Sequence, residues 1–181
     1  NNCIREHVII NRSIHKGQST KIGSNSFIMA QSHIGHDTEI GNYVVLGNAS
    51  KIAGSCKIGN CTILSSNALV HENCNVGEWV LIKGGCRVNN NVPPYTIMAH
   101  NPIGYFGVNA YILRKGKMSE ETIDEIAKAY RHIYQSQTSP FNAVKRIESD
   151  VMDSPEKEAI LNFVKKHNYQ LAALPKGIYE E

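Results

Sequence analysis

A large aliphatic residue returns at every sixth position from Ile22 to Val88: Ile22, Ile28, Ile34, Ile40, Leu46, Ile52, Ile58, Leu64, Val70, Val76, Ile82 and Val88. Four residues after each stands a small or compact one, from Ser26, Ser32 and Thr38 through to Cys86 and Val92. The residue directly after the aliphatic one is often Gly, as at Gly23, Gly35, Gly41, Gly47, Gly59 and Gly77. A period of six fits neither an amphipathic helix nor hairpins with spaced turns. It predicts short strands, one per hexad, wound round a narrow axis as a parallel β-helix. If three hexads make one coil of a triangular prism, residues eighteen apart stack in neighbouring coils, about 4.7–4.9 Å apart. The hand of the coil does not follow from the spacing.

The register already runs at Ile4 and Ile10, and the chain opens on Asn1 rather than Met. A solenoid end normally needs a cap, so we expect a fragment or processed form with further coils before Asn1. From Asn11 to Lys21 the pattern breaks, with Lys16 where an aliphatic residue is due. Ile10 and Ile22 are nonetheless in register, so the interruption is expected to bulge from one corner of the coil. The array should end at Val92-Pro93-Pro94, because proline cannot donate to a next rung. Residues 1–94 therefore form the β-helix, and 95–118 an extended connector packed on it. From Ser119 the apolar period turns helical, through Ile123, Ile126, Ala127, Tyr130, Ile133 and Tyr134, with Ser119 as N-cap and acids in the first turn. Ser139-Pro140 and Ser154-Pro155 each signal a further helix start. Residues 119–181 thus read as a small helical domain with too little apolar surface to stand alone.

Composition narrows the classes. A chain of 181 residues with a net charge of +3 and ordinary apolar content is globular, of one to two domains. It has no basic run for nucleic acid and no window long enough to span a membrane. The five cysteines are an odd number with no C-x-x-C pair, and Cys56, Cys74 and Cys86 fall in the small-residue slot of the repeat. Packing as small hydrophobes fits better than disulfides, and points to a reducing compartment, the cytoplasm.

The eighteen-residue coil also sorts polar residues into columns. His36, Gly54 and Glu72 form one; Asp37, Ser55 and Asn73 the next; Gly35, Ala53 and His71 the one before, with His33 close by. Titratable groups thus collect along one edge of the prism. A neutral imidazole held at one nitrogen by a carboxylate, as His36 beside Asp37 allows, can use the other as general base. The plainer alternative is that His33 and His36 are solvated turn residues. A zinc site from His33, His36 and His71 is a third reading, but the close H-x-x-x-x-H pair found in some zinc-binding hexapeptide-repeat proteins is missing, and no metal ligand is assigned. Trp79 is expected on the prism surface as a subunit contact or ligand wall. Arg114-Lys115-Gly116-Lys117 reads as a solvated loop that could meet a phosphate.

The segment Met29-Ala-Gln-Ser-His-Ile-Gly-His-Asp-Thr-Glu-Ile-Gly-Asn42 resembles the active-site segment of the acyl-carrier-protein-dependent UDP-N-acetylglucosamine O-acyltransferases, which perform the first step of lipid A biosynthesis. Ile4-Arg-Glu, Ile52-Ala-Gly54, Val92-Pro-Pro-Tyr95, Phe106-Gly-Val-Asn109 and Tyr130-Arg-His-Ile-Tyr134 match as well. The resemblance implies a left-handed β-helix and a homotrimer with active sites between neighbouring subunits. It implies transfer of a 3-hydroxyacyl chain from acyl-carrier protein to the 3-hydroxyl of UDP-N-acetylglucosamine, with no cofactor beyond the donor's own phosphopantetheine thioester. His36 would be the general base, Asp37 its orienting partner, and the Gly54 N–H the oxyanion donor. His33 would contact sugar or acyl group, His71 and Asn109 would line the nucleotide site, and Gly84 would end the acyl groove. Five positions depart from the family pattern: Ser55 for a histidine near the sugar, Glu72 for a glutamine beside the nucleotide, Tyr111 for an acid, and Lys115-Gly116 for an arginine pair. Lys115 keeps the charge there without the guanidinium fork. A related N-acyltransferase of the same pathway has a different N-terminal domain and a shorter tail, so the helical end argues against it. A non-catalytic scaffold is the remaining alternative.

Overall fold

The computed structural model describes residues 1–174, and the end of the expected helical domain, 175–181, lies outside the described residues. The chain forms a left-handed parallel β-helix of about four turns followed by helices. Each hexad supplies one two-residue strand, and successive strands go to three different sheets in rotation. The first sheet stacks Cys3–Ile4, Phe27–Ile28, Val45–Leu46, Ile63–Leu64 and Leu81–Ile82. The second stacks Ile9–Ile10, His33–Ile34, Lys51–Ile52, Leu69–Val70 and Arg87–Val88. The third stacks Lys21–Ile22, Glu39–Ile40, Lys57–Ile58 and Asn75–Val76.

The hexad aliphatics point inward, and from Ile28 to Val88 all are buried. The small residues fill the tight corners of the triangular core. Where they are hydroxylated they close on carbonyls of the next coil, as in Ser32 Oγ to Gly47 O at 3.1 Å and Thr38 Oγ1 to Ala53 O at 3.0 Å. A larger side chain there would overfill the prism, and a polar one without a partner would be costly to bury. Each corner turns through one left-handed residue, three after the aliphatic position: Asn25, Gln31, Asp37, Tyr43, Ala49, Ser55, Cys61, Asn67, Asn73 and Trp79 all have φ between 56° and 61°.

The interruption lies at the corner between the second and third sheets. Ile9 pairs with His33, twenty-four residues on, whereas Lys21 pairs with Glu39, eighteen on. The first coil therefore carries six extra residues, the corner bulge that the retained register implied.

The array does not stop at Pro94. Thr96–Ala99 pairs in parallel with Leu81–Ile82 and extends the first sheet, and Gly104–Val108 folds back antiparallel on it. The connector is also not wholly extended, because α1 (Ala110–Lys115) forms within it. Then come α2 (Glu120–Tyr134), α3 (Pro140–Asp150) and α4 (Pro155–Lys166). They are N-capped by Ser119, Ser139 and Ser154 through the backbone N–H groups of Thr122, Asn142 and Lys157. These helices bury Ile123, Ile126, Tyr130, Ile147 and Ile160 in a second core that reaches Tyr95 of the solenoid. The Tyr130 hydroxyl donates to the Pro94 carbonyl and ties α2 to the end of the prism. The helical part thus packs on the solenoid, as its small apolar surface requires.

Among the described residues no helix is long and apolar enough to cross a membrane. All five cysteines are free, with Cys56, Cys74 and Cys86 buried. Burial pushes the Cys56 thiol up to about 12, so it is inert packing.

Candidate active site

The corner between the second and third sheets carries the turns Gly35–Thr38, Ala53–Cys56 and His71–Cys74, one above another. Ser55 N–H donates to His36 O at 2.8 Å, and Asn73 N–H donates to Gly54 O at 3.2 Å. The eighteen-residue columns are therefore real: Gly54 lies one rung from His36, and Glu72 one rung further.

His36 Nδ1 is 2.9 Å from Asp37 Oδ2, and the two side chains are 31% and 9% exposed. With Nδ1–H donating to the carboxylate, Nε2 is left as the unprotonated nitrogen. That nitrogen faces Gly54, where an added Cβ would stand 2.4 Å from both His36 Nε2 and Cε1. Only glycine permits this approach. Gly54 is buried, and among the described residues nothing accepts its N–H. Buried backbone donors are rarely left unpaired. An imidazole nitrogen free to accept and a backbone donor without an acceptor thus lie side by side.

Asp37 is fixed from several sides by the bulged corner above it. The Ser13 hydroxyl donates to Oδ1, and Ile14 N–H donates to Oδ2 at 3.3 Å. Asp37 N–H donates to Thr20 Oγ1 at 3.0 Å, which itself donates to Asn11 O at 2.7 Å. The Ser13 hydrogen bond, aided by His36, holds the Asp37 carboxyl below its ordinary value, so it is an anion at neutral pH. His33 Nε2 is 2.7 Å from Asn11 Oδ1 in the same segment. Sequence reasoning expected a bulge at one corner of the coil but gave no role to Asn11, Ser13, Ile14 and Thr20. Register arithmetic could have placed them, since the extra residues fall at the corner that carries His36.

The other expected site residues divide into two groups. His33, His71 and Glu72 line one open cleft of about 550 Å³, together with Lys51 and Asn73. Lys51 was missed although it sits eighteen residues after His33, directly paired with it. Ser55 is exposed at the left-handed position of the Gly54 turn. Gly84 lies on a different edge, in the turn from the first sheet to the second, above Ser66. Asn109 is 1% exposed and stands at the N-cap of α1, but its amide donates to Trp79 O at 2.9 Å rather than capping the helix, so within this chain it ties α1 to the solenoid. Lys115 is the last residue of α1 rather than part of a loop, with its ammonium 5.6 Å from the Tyr111 ring centre. Trp79 is not free on the surface either: an added Cβ on Gly116 would lie 2.6 Å from its ring. Among the described residues no three of His, Cys, Asp and Glu are grouped to hold a metal ion, so His33, His36 and His71 do not converge within the chain.

One column escaped the sequence reading altogether. The outward positions of the first sheet are Phe27, Val45, Ile63, Leu81 and Ile97, all partly exposed. The corresponding positions of the third sheet are Lys21, Glu39, Lys57 and Asn75. An apolar stripe thus runs the length of one prism face and no other.

Known proteins of similar sequence share this fold. The family described as Udp N-acetylglucosamine O-acyltransferase, Domain 2, matches residues 91–172, and bacterial transferase hexapeptide repeats match residues 19–54. The acyl-[acyl-carrier-protein]–UDP-N-acetylglucosamine O-acyltransferase of Syntrophobacter fumaroxidans is 36% identical over 165 residues, covering 90% of this chain and 64% of its own. That of Rippkaea orientalis is 44% identical over 148 residues, covering 82% of this chain and 54% of its own. The crystal structure of a UDP-N-acetylglucosamine acyltransferase from Bacteroides fragilis superposes with a TM-score of 0.85 at 32% identity, over 97% of this chain and 80% of that one. The chain spans between about half and two thirds of the length of these two curated relatives.

Proposed function

The chain belongs to the family of UDP-N-acetylglucosamine O-acyltransferases, and on that premise we propose that it moves a 3-hydroxyacyl chain from acyl-carrier protein to the 3-hydroxyl of UDP-N-acetylglucosamine, the first step of lipid A biosynthesis. The observation that carries the proposal is the close approach of His36 Nε2 to buried Gly54, whose N–H is unspent, with Asp37 behind the ring.

The chemistry follows from these groups. His36 Nε2 takes the proton of the sugar 3-hydroxyl as its oxygen attacks the thioester carbonyl. The carbonyl oxygen becomes an oxyanion and accepts the Gly54 N–H, which needs no reorganisation to meet it. Collapse of the tetrahedral intermediate breaks the C–S bond, and the imidazolium returns its proton to the departing pantetheine thiolate. The products are the sugar ester and the free thiol of the carrier. Asp37 keeps the imidazole in the Nδ1–H tautomer and stabilises its protonated form without taking the proton. The donor brings its own phosphopantetheine thioester, so no further cofactor takes part.

The cleft holding His33, Lys51, His71 and Glu72 sets one ammonium and two hydrogen-bonding imidazoles against a single acid, which suits a nucleotide sugar. The apolar stripe from Phe27 to Ile97 supports a homotrimer, since a continuous apolar face on a prism suits burial against copies of itself. Gly84 and Lys115, which stand apart from His36 in one chain, would then reach a neighbour's site, whereas Asn109 is buried against Trp79 within its own chain. The five unpaired cysteines fit a reducing compartment, the cytoplasm.

The test is turnover of UDP-N-acetylglucosamine with a panel of acyl-carrier-protein thioesters, with the product identified by mass spectrometry. An ester of the 3-hydroxyl that vanishes in H36A supports the proposal. An amide product, or unchanged turnover in H36A, refutes it.

A further inference from the structure

The bulged corner Asn11–Thr20 contributes none of the groups that the transfer itself requires, yet it touches both histidine systems at once. We propose that this corner is the positioning device of the site, with Ser13 as the positioning residue that locks Asp37 and thereby selects the basic nitrogen of His36. The inference rests on the acyl-transfer reading above and adds residues that the reading does not use.

Ser13 is only 7% exposed, although every residue around it from Asn11 to Ser19 is exposed. Its oxygen accepts from His15 N–H at 3.0 Å, which leaves its single proton for one of two acceptors, Asp37 Oδ1 or His15 O at 3.1 Å. The carboxylate wins, because a charged acceptor makes the stronger hydrogen bond. Asp37 then has one oxygen committed to Ser13 and the other to His36 Nδ1 and Ile14 N–H. A carboxylate bound at both oxygens cannot rotate about its Cβ–Cγ bond, so the direction offered to His36 is fixed. Nδ1 must carry the hydrogen, and Nε2 at Gly54 must be the base. Thr20 holds the other end of the device by anchoring Asp37 N–H in its left-handed turn, where φ is 58°. Asn11 accepts from His33 Nε2 and aims the second imidazole.

Without the six extra residues the corner would turn as tightly as those above it, and Asp37 would face solvent on that side. The insertion therefore replaces water with fixed donors at the one corner where the orientation of a carboxylate matters. Such preorganisation by groups behind the reacting residues is a general requirement of precise sites.

The test compares S13A and S13T with the parent protein. Loss of one charge-assisted hydrogen bond behind the base predicts that S13A lowers kcat about 10- to 100-fold, with KM for both substrates within about twofold. S13T, which keeps the hydroxyl, should stay within about threefold of the parent in kcat. Nitrogen-15 NMR of the His36 ring gives the reading that a merely structural role would not move. In the parent, Nδ1 and Nε2 should have widely separated shifts; in S13A the two should draw together as the tautomers mix, and S13T should restore the separation. Carbon-13 NMR of the Asp37 carboxyl should show its titration rising toward the ordinary value in S13A. An unchanged His36 tautomer in S13A overturns the proposal, as does a rise in KM at constant kcat. If the parent proves not to transfer acyl groups to the sugar, the functional reading fails, and the NMR comparison still decides the positioning role by itself.

Discussion

Gly54→Ala isolates the geometry on which the proposed chemistry depends. The added methyl would lie 2.4 Å from both Nε2 and Cε1 of His36, and 3.0 Å from Cδ2. Ordinary contact begins near 3.5 Å, so the ring must retreat by roughly 1 Å. It has room to do so, since the side chain is 31% exposed. Retreat stretches the 2.9 Å bond to Asp37 or withdraws Nε2 from the Gly54 N–H, and either outcome spoils the reacting geometry. A displacement of that size costs about 100-fold in rate, and complete loss of the base up to about 10⁴-fold. We therefore expect kcat for acyl transfer to fall between these limits, about 3–5 kcal/mol of transition-state stabilisation. The three atoms nearest the methyl all belong to His36, so the fold should tolerate it with a loss of stability no greater than the roughly 1–3 kcal/mol of ordinary overpacking. The control is the double variant: in H36A the clash has no partner, so adding G54A should cost little more. Steady-state release of the carrier thiol, with product mass, gives the rates. Parent-like turnover in G54A would refute the argument outright. An H36A/G54A enzyme far slower than H36A would show that the methyl acts on something other than the imidazole.

Other consequences can be measured without the same depth. Asp37 has a folded-state pKa held below its unfolded value of ~3.9, so it stabilises the fold above that pH and the contribution is lost as pH falls through the folded value. The Tm gap between the parent and D37N should therefore be widest near neutrality and narrow on acidification below the unfolded value; a gap independent of pH would contradict this. Lys157 is 6% exposed, and its ammonium donates to Glu148 O, Val151 O and Asp153 Oδ1, closing the C-terminus of α3. K157M should cost about 2–4 kcal/mol in urea unfolding, because two carbonyls lose their donor; a loss under about 0.5 kcal/mol would place the lysine in solvent. L81D and I63D put a charge into the apolar stripe and should yield monomers by sedimentation, with transfer activity falling at least about tenfold and the circular dichroism of the solenoid unchanged. Active trimers of either variant would show that assembly uses another face.

The division between what the sequence disclosed and what it hid follows the range of each physical constraint. A solenoid repeats its packing problem every six residues, so Ile28 to Val88 announce the core, and eighteen-residue arithmetic suffices to bring Gly54 under His36. The corner conformation is equally regular but leaves almost no trace, because the left-handed slot holds Tyr43, Cys61 and Trp79 as readily as Asn25 or Asn67. The glycines that do mark the repeat serve another constraint, the close approach of the next coil: an added Cβ on Gly35 would lie 2.5 Å from the Ala53 carbonyl carbon. Once the period ends at Pro94, positions no longer follow from counting. Asn109 and Trp79 meet across thirty residues, and neither the buried amide nor the covered indole has a local signature. Lys157 misleads in the same way, since Asp153 four residues earlier suggests an exposed ion pair rather than a buried cap.

Irregularity was the more informative signal within the regular part. A strict hexad array fixes backbone positions but offers each corner side chain to solvent, which suits a scaffold and not a base that must keep one tautomer. The corner that breaks the array is the corner that supplies Ser13, Ile14 and Thr20 to Asp37. The same break brings Asn11 to His33. Repeat and interruption therefore have separate tasks: the repeat sets the distance from His36 to Gly54, and the interruption sets the direction in which His36 points.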